Sequence, residues 1–271
     1  MKVGIIGFGI VGKATASTLS KSYKLVIYDK YQKLDDFRKL SSCDFIFIMV
    51  PTPFDYQNNR VDDSAIIESL NKLQENSFPN TVIIKSTVPP GYCKKYEGKY
   101  NLQIVFNPEF LRESTTPNED FENQHTVVIG TDDLNIFKEV KKMYQQVLHS
   151  DPKYYHTSTT EAEMIKCAQN TMLASRVALA NIIFDACDEH EVDYSKVREI
   201  AFDRFEILGP HMVQVPGPDG KRGFGGKCLP KDIHAFSSVH NSELLSMIIK
   251  YNNSLRDDLD NYLTNFDKKK I

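Results

Sequence analysis

The sequence lacks the features that mark membrane, secreted and nucleic-acid-binding proteins. No apolar run approaches the roughly 18 residues needed to span a bilayer. The N-terminal stretch MKVGIIGFGIVG contains glycines where a signal peptide would be continuously apolar. The formal net charge is only -3, and no long basic tract is present to bind phosphates. We therefore expect a cytosolic protein that binds neither membranes nor nucleic acids.

Cysteine is scarce, and its distribution matches neither a disulfide framework nor a structural metal site. The five cysteines have no CxxC pair and no histidine at zinc spacing. Three of them, Cys43, Cys167 and Cys187, lie in apolar or helical runs and are expected to be buried, whereas Cys93 lies in a predicted turn. The fifth, Cys228, has a different sequence context.

The first half of the chain alternates short β-branched runs with helical stretches, which is typical of a parallel sheet with crossover helices. Continuous hydrophobicity in these runs predicts strands covered on both faces. We predict an α/β domain over residues 1–150 with a doubly wound, Rossmann-type parallel sheet. The six predicted strands are KVGII (2–6), KLVIY (24–28), DFIFIMV (44–50), TVIIK (81–85), LQIVF (102–106) and TVVIG (126–130).

The second half is predicted to be mostly helical. Apolar residues recur at helical spacing for about thirty positions from Thr157 onward, which is too long for a strand. An acidic first turn after Ser158 or Thr159 fits a helix N-terminus. We predict a second domain over residues 151–271, with a long central helix at about 158–188. A shorter helix at 193–203, a Gly/Pro-rich loop and further helices from about 231 to 266 follow.

A glycine-rich motif between the first predicted strand and helix indicates a dinucleotide site. Gly7 would permit a tight turn, Gly9 would let the backbone approach a pyrophosphate, and Gly12 would let the helix pack on the strand. The helix N-terminus would supply unpaired N–H groups to the anion. The full GxGxxG motif consists of Gly7, Phe8, Gly9, Ile10, Val11 and Gly12.

The second predicted strand is followed by Asp29, which distinguishes between cofactors. Its carboxylate would accept hydrogen bonds from ribose hydroxyls and repel a 2′-phosphate, so NAD is favoured over NADP. The adjacent Lys30 leaves NADP open, and a flavin would use the same glycine pattern. The choice of a nicotinamide cofactor therefore depends on the other motifs.

The segment GFGGKCLPKD carries Cys228 between glycines and a proline followed by a Lys-Asp pair. A thiol near a helix N-terminus, with Lys227 and Lys231 close in sequence, is expected to have a pKa below the ordinary value of about 8.5. These surroundings favour a nucleophile over a buried structural cysteine.

Two further stretches carry polar groups that suit catalysis. Lys166 and Asn170 are four residues apart on the long predicted helix, so both point the same way and could hold an oxyanion. After the fifth predicted strand, Glu109 or Glu113 could act as a general base at the ligand-binding edge of the sheet. The alternative interpretations are a solvated helix face for Lys166 and Asn170, and surface ion pairs for Glu109 and Glu113.

Taken together, these motifs resemble the UDP-glucose/GDP-mannose dehydrogenase family. The matching elements occur in the family's order over almost the whole chain. They are GxGxxG, VPTP (50–53), STVPPG (86–91), NPEFLRE (107–113), EAEMIKCAQN (161–170) and GFGGKCLPKD (223–232).

The resemblance implies oxidation of a nucleotide sugar, UDP-glucose being the expected substrate, from alcohol to carboxylate with two NAD. Cys228 would attack the intermediate aldehyde, and hydride transfer and hydrolysis would follow. Lys166 and Asn170 would stabilise oxyanions, Glu109 would assist hydrolysis, and Asp232 would orient water or the lysine. The resemblance also assigns Thr52, Thr87 and Glu113 to the cofactor, and Phe110, Leu111, Phe224 and Gly225 to the substrate. Arg222, which lies where the sequence departs from the family, is predicted to bind the substrate as well.

The resemblance further implies a homodimer formed through the long helix. Family members usually continue into a third domain that binds the uridine diphosphate, and the sequence stops at Ile271, before that domain. Asp219-Gly220-Lys221-Arg222 expands the loop before GFGG, and its basic residues could contact a diphosphate or lie in solvent. A two-electron 3-hydroxyacid dehydrogenase and an impaired NAD-binding protein remain the alternatives.

Overall fold

The structure is a computed structural model. It describes residues 1–76, 78, 81–111, 116–205, 208–209, 212–226, 228–240 and 242–256. By compactness the chain divides into two units, Met1–Lys166 and Cys167–Ile271.

The first unit is built on a seven-stranded sheet with strand order β2-β1-β3-β6-β7-β8-β9. All six predicted strands form. Adjacent strands run parallel except β7 and β8, which are antiparallel and joined at Phe106 and Gly130. The sheet is therefore mostly, rather than wholly, parallel. Its strands are β1 (Lys2–Ile6), β2 (Lys24–Tyr28), β3 (Phe45–Ile48), β6 (Thr81–Ile84), β7 (Gln103–Phe106), β8 (Thr126–Gly130) and β9 (Lys153–Thr157).

The seventh strand, β9, was not expected from the sequence. Its residues KYYHT are largely exposed or half-buried, because β9 lies at the edge of the sheet and pairs only with β8. An edge strand does not need the continuous apolar run that marks a strand covered on both faces. The two-residue strands β4 (Phe54–Asp55) and β5 (Arg60–Val61) form a separate small hairpin.

Helices cover both faces of the sheet, as the apolar strands predict. In β3, Ile46 and Ile48 join one buried cluster, while Phe45 and Phe47 join the other. Alternate side chains of a strand point to opposite faces, so each face has its own core. The helices of this unit are α1 (Ile10–Leu19), α2 (Ser64–Glu75), α3 (Tyr92–Tyr96), α4 (Pro117–Glu122) and α5 (Leu134–Gln145), with a 3₁₀ helix at Phe37–Ser42.

The long predicted helix is confirmed as α6 (Thr159–Glu189). Its first turn is closed by a capping box, in which the Glu161 N–H donates to Ser158 Oγ over 3.2 Å and the Ser158 N–H donates to Glu161 Oε2 over 2.8 Å. These bonds satisfy donors that lack a partner within the helix. The helix begins in the first unit and continues through the second.

The second unit is helical in its described part. After α6 come α7 (Tyr194–Arg198), a π-helical turn at Glu199–Asp203, α8 (Leu229–Val239) and α9 (Glu243–Leu255). The predicted helix at 193–203 is thus formed with a change of winding near its middle. The predicted helical region 231–266 corresponds to α8 and α9 as far as residue 256.

The two compact units do not by themselves define functional domains. The first unit extends to Lys166 because β9 completes the sheet and the first turns of α6 follow it directly. The division into functional domains at residue 150 stays a prediction. Within the described residues, no helix is both long and apolar enough to cross a membrane.

Candidate active site

The glycine motif forms the turn between β1 and α1. Gly7 has φ +94°, and a Cβ there would lie 2.4 Å from the Met49 carbonyl oxygen. A Cβ on Gly12 would lie 2.2 Å from the Gly7 carbonyl oxygen, so the turn and α1 can approach this closely only with glycine at both positions. Gly9 caps α1, and no atom lies within 4 Å of where its Cβ would be. Open space beside a helix N-terminus fits an approaching pyrophosphate.

The other members of this turn surround that space. Ile10 is exposed, whereas Phe8 and Val11 are partly buried against the apolar cluster beneath α1. Asp29, at the end of β2, accepts hydrogen bonds on Oδ2 from the Phe8 N–H at 2.8 Å and on Oδ1 from the Tyr31 N–H at 2.9 Å. Oδ1 also accepts from the Gln32 N–H at 3.2 Å. A carboxylate has about four acceptor positions, so about one remains for a ribose hydroxyl. These residues fit the adenosine half of NAD.

The loops that follow β3 and β6 are tied to each other beside this turn. Thr52 Oγ1 donates to the Thr87 carbonyl oxygen at 2.8 Å, and Ser86 Oγ donates to the Val50 carbonyl oxygen at 2.7 Å. The strands β2, β1, β3, β6 and β7 are parallel neighbours, so these loops share the carboxyl edge of the sheet with the glycine turn. That edge is where doubly wound sheets bind ligands.

Glu109 and Lys166 form a nearly buried ion pair. Lys166 Nζ lies 3.4 Å from Glu109 Oε1 and 5.6 Å from the centre of the Phe110 ring. Glu109 Oε2 accepts a hydrogen bond from the Leu111 N–H at 2.8 Å, which holds the carboxylate in place. The structure thus brings together two predicted catalytic residues that are 57 positions apart. Leu111 is partly buried, and Glu113 lies outside the described residues.

Lys85 is a charged residue of this region that sequence reasoning missed. Its Nζ donates to Asn107 Oδ1 at 2.9 Å and approaches the Asn107 carbonyl oxygen at 3.3 Å. The pKa of Lys85 is lowered to about 7, chiefly by burial; the charge of Glu109 opposes this shift, and the charge of Lys166 adds to it. The available signal was a lysine ending the apolar strand run TVIIK, just before the STVPPG segment.

Glu163, one turn before Lys166 on α6, was also missed. It is fully buried, and its carboxylate accepts hydrogen bonds from the backbone N–H groups of Gly91 and Cys93 at 2.6 and 2.7 Å. Burial raises its pKa despite these bonds, which act in the opposite direction. Glu163 thereby attaches α6 to the end of the STVPPG segment.

In the second unit, Asn170 and Asp232 form a hydrogen-bonded pair. Asn170 Nδ2 donates to Asp232 Oδ2, and Asp232 Oδ1 lies 2.7 Å from Lys231 Nζ. Asp232 is fully buried, and its backbone N–H donates to the Cys228 carbonyl oxygen at 2.8 Å. Asn170 lies one turn after Lys166 along α6, as the spacing predicts.

Cys228 differs from the other four cysteines in exposure and position. It is half-buried and lies at the N-cap position of α8. Cys43, Cys93, Cys167 and Cys187 are buried. Burial raises the pKa of Cys43 to about 11 and also raises that of Cys93, which lies in α3 and not in an exposed turn. Cys228 is therefore the best placed of the five to react.

Three predicted substrate-binding residues lie in the loop before Cys228. The Phe224 side chain is buried in an apolar cluster with Ala174, Ala178, Ile233 and Leu245. Gly225 lies against the Arg256 guanidinium, whose Nη2 would be 2.5 Å from an added Cβ. Arg222 pairs with Asp185 and stacks over the Phe184 ring at 5.1 Å. All three are engaged within the protein, and their role toward a substrate stays a prediction.

No group of three or more histidine, cysteine, aspartate or glutamate side chains that could hold a metal ion occurs among the described residues. The polar groups described above are, in the first unit, carboxylates and lysines and, in the second unit, a carboxylate, a carboxamide and a thiol. Groups of these types can take part in proton transfer, oxyanion stabilisation and nucleophilic addition.

Family models match most of the chain. Residues 27–148 match the NAD binding domain of the UDP-glucose/GDP-mannose dehydrogenase family, and residues 160–254 match the central domain of the same family. The first match begins after the glycine motif, so the geometry of Gly7, Gly9 and Gly12 is separate support for the cofactor.

Individual relatives agree with the family models. The UDP-glucose 6-dehydrogenase of Rickettsia felis is 30% identical over 78% of this chain and 47% of its own length. The UDP-glucose 6-dehydrogenase YwqF of Bacillus subtilis is 27% identical over 94% of this chain and 66% of its own length. The chain thus spans about half the length of the first of these relatives.

Solved structures support the fold. A UDP-glucose dehydrogenase from Pyrobaculum islandicum aligns with a TM-score of 0.81 at 23% identity, covering 93% of this chain and 68% of that one. A UDP-D-ManNAc dehydrogenase from Pyrococcus horikoshii aligns with a TM-score of 0.80 at 21% identity, covering 94% of this chain and 69% of that one.

Proposed function

Since the chain belongs to the UDP-glucose/GDP-mannose dehydrogenase family, whose members are NAD-dependent oxidoreductases, we propose that it is a nucleotide-sugar 6-dehydrogenase. It oxidises the C6 alcohol of UDP-glucose to the carboxylate of UDP-glucuronate in two hydride transfers. The observation that carries the proposal is the half-buried Cys228 thiol at the N-terminus of α8, followed one turn later by the buried Asp232. A two-electron dehydrogenase has no use for such a thiol.

The role of Cys228 follows from the chemistry of an aldehyde intermediate. Its thiolate adds to the aldehyde carbon, forming a C–S bond, and the aldehyde oxygen takes up a proton to give a thiohemiacetal. Loss of a hydride from C6 and of the hydroxyl proton leaves a thioester. NAD, when bound, accepts the hydride. Water then cleaves the C–S bond, which releases the carboxylate and restores the thiol.

The remaining roles are assigned residue by residue. Lys166 and Asn170 donate hydrogen bonds to the oxygen on which negative charge develops, because an ammonium and a carboxamide are both donors. Glu109 accepts a proton from the attacking water during thioester hydrolysis. Asp232 holds the Asn170 carboxamide in place and is itself anchored to the start of α8.

UDP-glucose is proposed as the substrate because the relatives from Rickettsia felis and Bacillus subtilis are named for it. The proposed setting is the cytoplasm, where NAD is available and UDP-glucuronate serves polysaccharide synthesis. The basic residues Lys221 and Arg222 of the expanded loop are proposed to contact the diphosphate, a role for which Arg222 must exchange its contact with Asp185.

A stoichiometric assay tests the proposed reaction. Purified protein given UDP-glucose and NAD should form two NADH for each sugar oxidised, and Cys228→Ser should abolish carboxylate production. Cys187→Ala, a change on the far part of α6, serves as the matched control and should retain turnover. One NADH per sugar with an unaffected serine variant would indicate the two-electron alternative. NAD binding without oxidation of any nucleotide sugar would indicate an impaired protein.

We also propose a homodimer formed through α6. Within the second unit, Met172, Leu179 and Ile182 lie on one side of this helix and are 65%, 57% and 49% exposed. Large apolar side chains along a helix face favour burial against a partner. Light scattering should give twice the chain mass, and Leu179→Lys should shift it toward the monomer. A wild-type monomer at micromolar concentration would contradict the dimer.

A further inference from the structure

The loop that leads to Cys228 is held by the last turns of α9. Asn252 is almost fully buried and bonds both backbone groups of one loop residue. Its Oδ1 accepts from the Phe224 N–H at 2.7 Å, and its Nδ2 donates to the Phe224 carbonyl oxygen at 3.1 Å. A carboxamide used in this way pairs with the backbone as a neighbouring strand would. Cys228 follows only four positions later.

Arg256, four residues after Asn252, also contacts this loop. Its side chain is 1% exposed and pairs with Asp219, with an Nη2 to Oδ2 distance of 2.8 Å. The guanidinium lies so close to Gly225 that an added Cβ would be within 2.5–2.7 Å of three of its atoms. A Cβ on Gly223 would likewise lie 2.6 Å from Asn252 Oδ1. The glycines of this loop therefore admit the two polar side chains.

The loop is also held by α6. Asn181 Oδ1 accepts a hydrogen bond from the Gly223 N–H at 3.2 Å, and Asp185 accepts one from the Tyr251 hydroxyl at 2.7 Å as well as pairing with Arg222. This polar network ties α6, the loop and α9 together. A different loop arrangement would break the bonds to Phe224 and leave the buried Asn252 carboxamide without these partners, at a cost on the order of 1–3 kcal/mol. Asn252 therefore stabilises this arrangement of the loop over others.

The fixed position of Phe224 also affects α8, the helix that begins after Cys228. The Phe224 side chain packs in one cluster with Ile233 of α8 and Leu245 of α9. Displacement of the Phe224 backbone would therefore move the side chain that contacts α8. We propose that Asn252 is a positioning residue for Cys228: it fixes the Phe224 backbone and thereby sets where the thiol lies at the start of α8. The catalytic consequence rests on the proposed function.

The test compares Asn252→Ala with the matched control Asn253→Ala, since Asn253 is the exposed neighbour on the same helix. The first readout is the rate of Cys228 alkylation by iodoacetamide as a function of pH, followed by mass spectrometry of the modified peptide. We expect Asn252→Ala to shift this pH profile and Asn253→Ala to reproduce the wild-type profile.

The second readout is steady-state kinetics. A misplaced reacting group can cost about 10²-fold in rate, so kcat should fall by about that factor while KM for NAD stays unchanged. Thermal unfolding, measured in parallel, separates the fall in kcat caused by a misplaced thiol from a fall caused by loss of stability. If Asn252→Ala does not fold, the isosteric Asn252→Asp is used, because it keeps the acceptor but cannot donate to the Phe224 carbonyl oxygen.

A folded Asn252 variant with the wild-type alkylation profile and wild-type kcat would overturn the proposal, even if its melting temperature were lower. The alkylation readout needs no substrate. If the wild-type protein oxidises no nucleotide sugar, the proposed function fails, and the alkylation profiles still decide the role of Asn252.

Discussion

Lys166 Nζ lies 3.4 Å from Glu109 Oε1, and the two side chains are only 4% and 10% exposed. The pair joins the beginning of α6 to the loop after β7. Because both charges are nearly buried, each depends on the other for compensation, and removal of one partner costs about 3–5 kcal/mol in such pairs. The arrangement places a carboxylate, for which we propose the role of general base, beside an ammonium group.

Glu109→Gln should slow hydrolysis more than oxidation. The carboxamide keeps the shape of the side chain but cannot accept a proton from water, so the thioester on Cys228 should accumulate. Mass spectrometry of quenched reactions should show the sugar attached to the protein, with a burst of NADH before a slow phase. Glu119→Gln, at an exposed position in the first turn of α4, is the control and should show neither. Absence of the adduct in the Glu109 variant would remove Glu109 from the hydrolytic step.

Two glycines of the turn, Gly7 and Gly9, should respond differently to alanine. Gly9→Ala should keep the wild-type melting temperature, since no protein atom apart from its chain neighbours lies within 4 Å of the new Cβ. It should weaken NAD binding, because the Cβ would enter the space proposed for the pyrophosphate. Gly7→Ala should destabilise the protein by on the order of 1–3 kcal/mol or more, because φ is +94° and the Met49 carbonyl blocks the Cβ. Calorimetric titration with NAD and thermal unfolding separate the two effects. Unchanged NAD affinity in Gly9→Ala would place the cofactor elsewhere.

Asp29→Asn should reduce the preference for NAD over NADP. The amide keeps only one of the two acceptor oxygens that receive the Phe8 and Tyr31 N–H groups, and it loses the charge that repels a 2′-phosphate. Hydrogen bonds to a charged group contribute about 1.5–3 kcal/mol, so the NAD dissociation constant should rise about tenfold or more. Titration with both cofactors, against Asp132→Asn at an exposed site, provides the measurement. An unaltered ratio of the two affinities would exclude Asp29 from cofactor selection.

Lys85 should make the stability of the first unit depend on pH. Its folded pKa of about 7 lies below the ordinary value of 10.5, so between these limits the unfolded chain binds more protons than the folded chain. The free energy of unfolding should therefore rise with pH across this window, by at most about 1.4 kcal/mol per pH unit. Below the window both states are protonated, and the contribution to the slope vanishes.

The comparison that isolates this effect is Lys85→Met against Lys94→Met, which removes an exposed lysine. Denaturant unfolding over this pH window should show Lys85→Met most stabilised, relative to the wild-type protein, at the low-pH end. That difference should shrink as the pH rises, whereas Lys94→Met should give a flat difference. A flat difference for Lys85→Met as well would mean that Lys85 titrates near its ordinary pKa in the folded protein. The charges that face Lys85, those of Glu109 and Lys166, are present in both variants.

The sequence by itself determined the elements whose signals are local. Six strands, the long helix beginning near Ser158 and the glycine turn all form where they are expected, because hydrophobic periodicity, helix-start signals and the conformational freedom of glycine act within a few residues. The glycine and proline neighbours of Cys228 limited its position to a loop or a helix start, and the structure places it at the N-cap of α8.

Only the tertiary structure decided the features that join distant parts of the chain. The edge strand β9 is mostly exposed and is specified by its pairing with β8, not by an apolar run. Lys85 acquires its low pKa, and Asn252 its hold on Phe224, from groups about 20 to 80 positions away. Burial and hydrogen bonding of a polar side chain depend on which segments pack around it, and that information lies in long-range contacts and not in the neighbouring sequence.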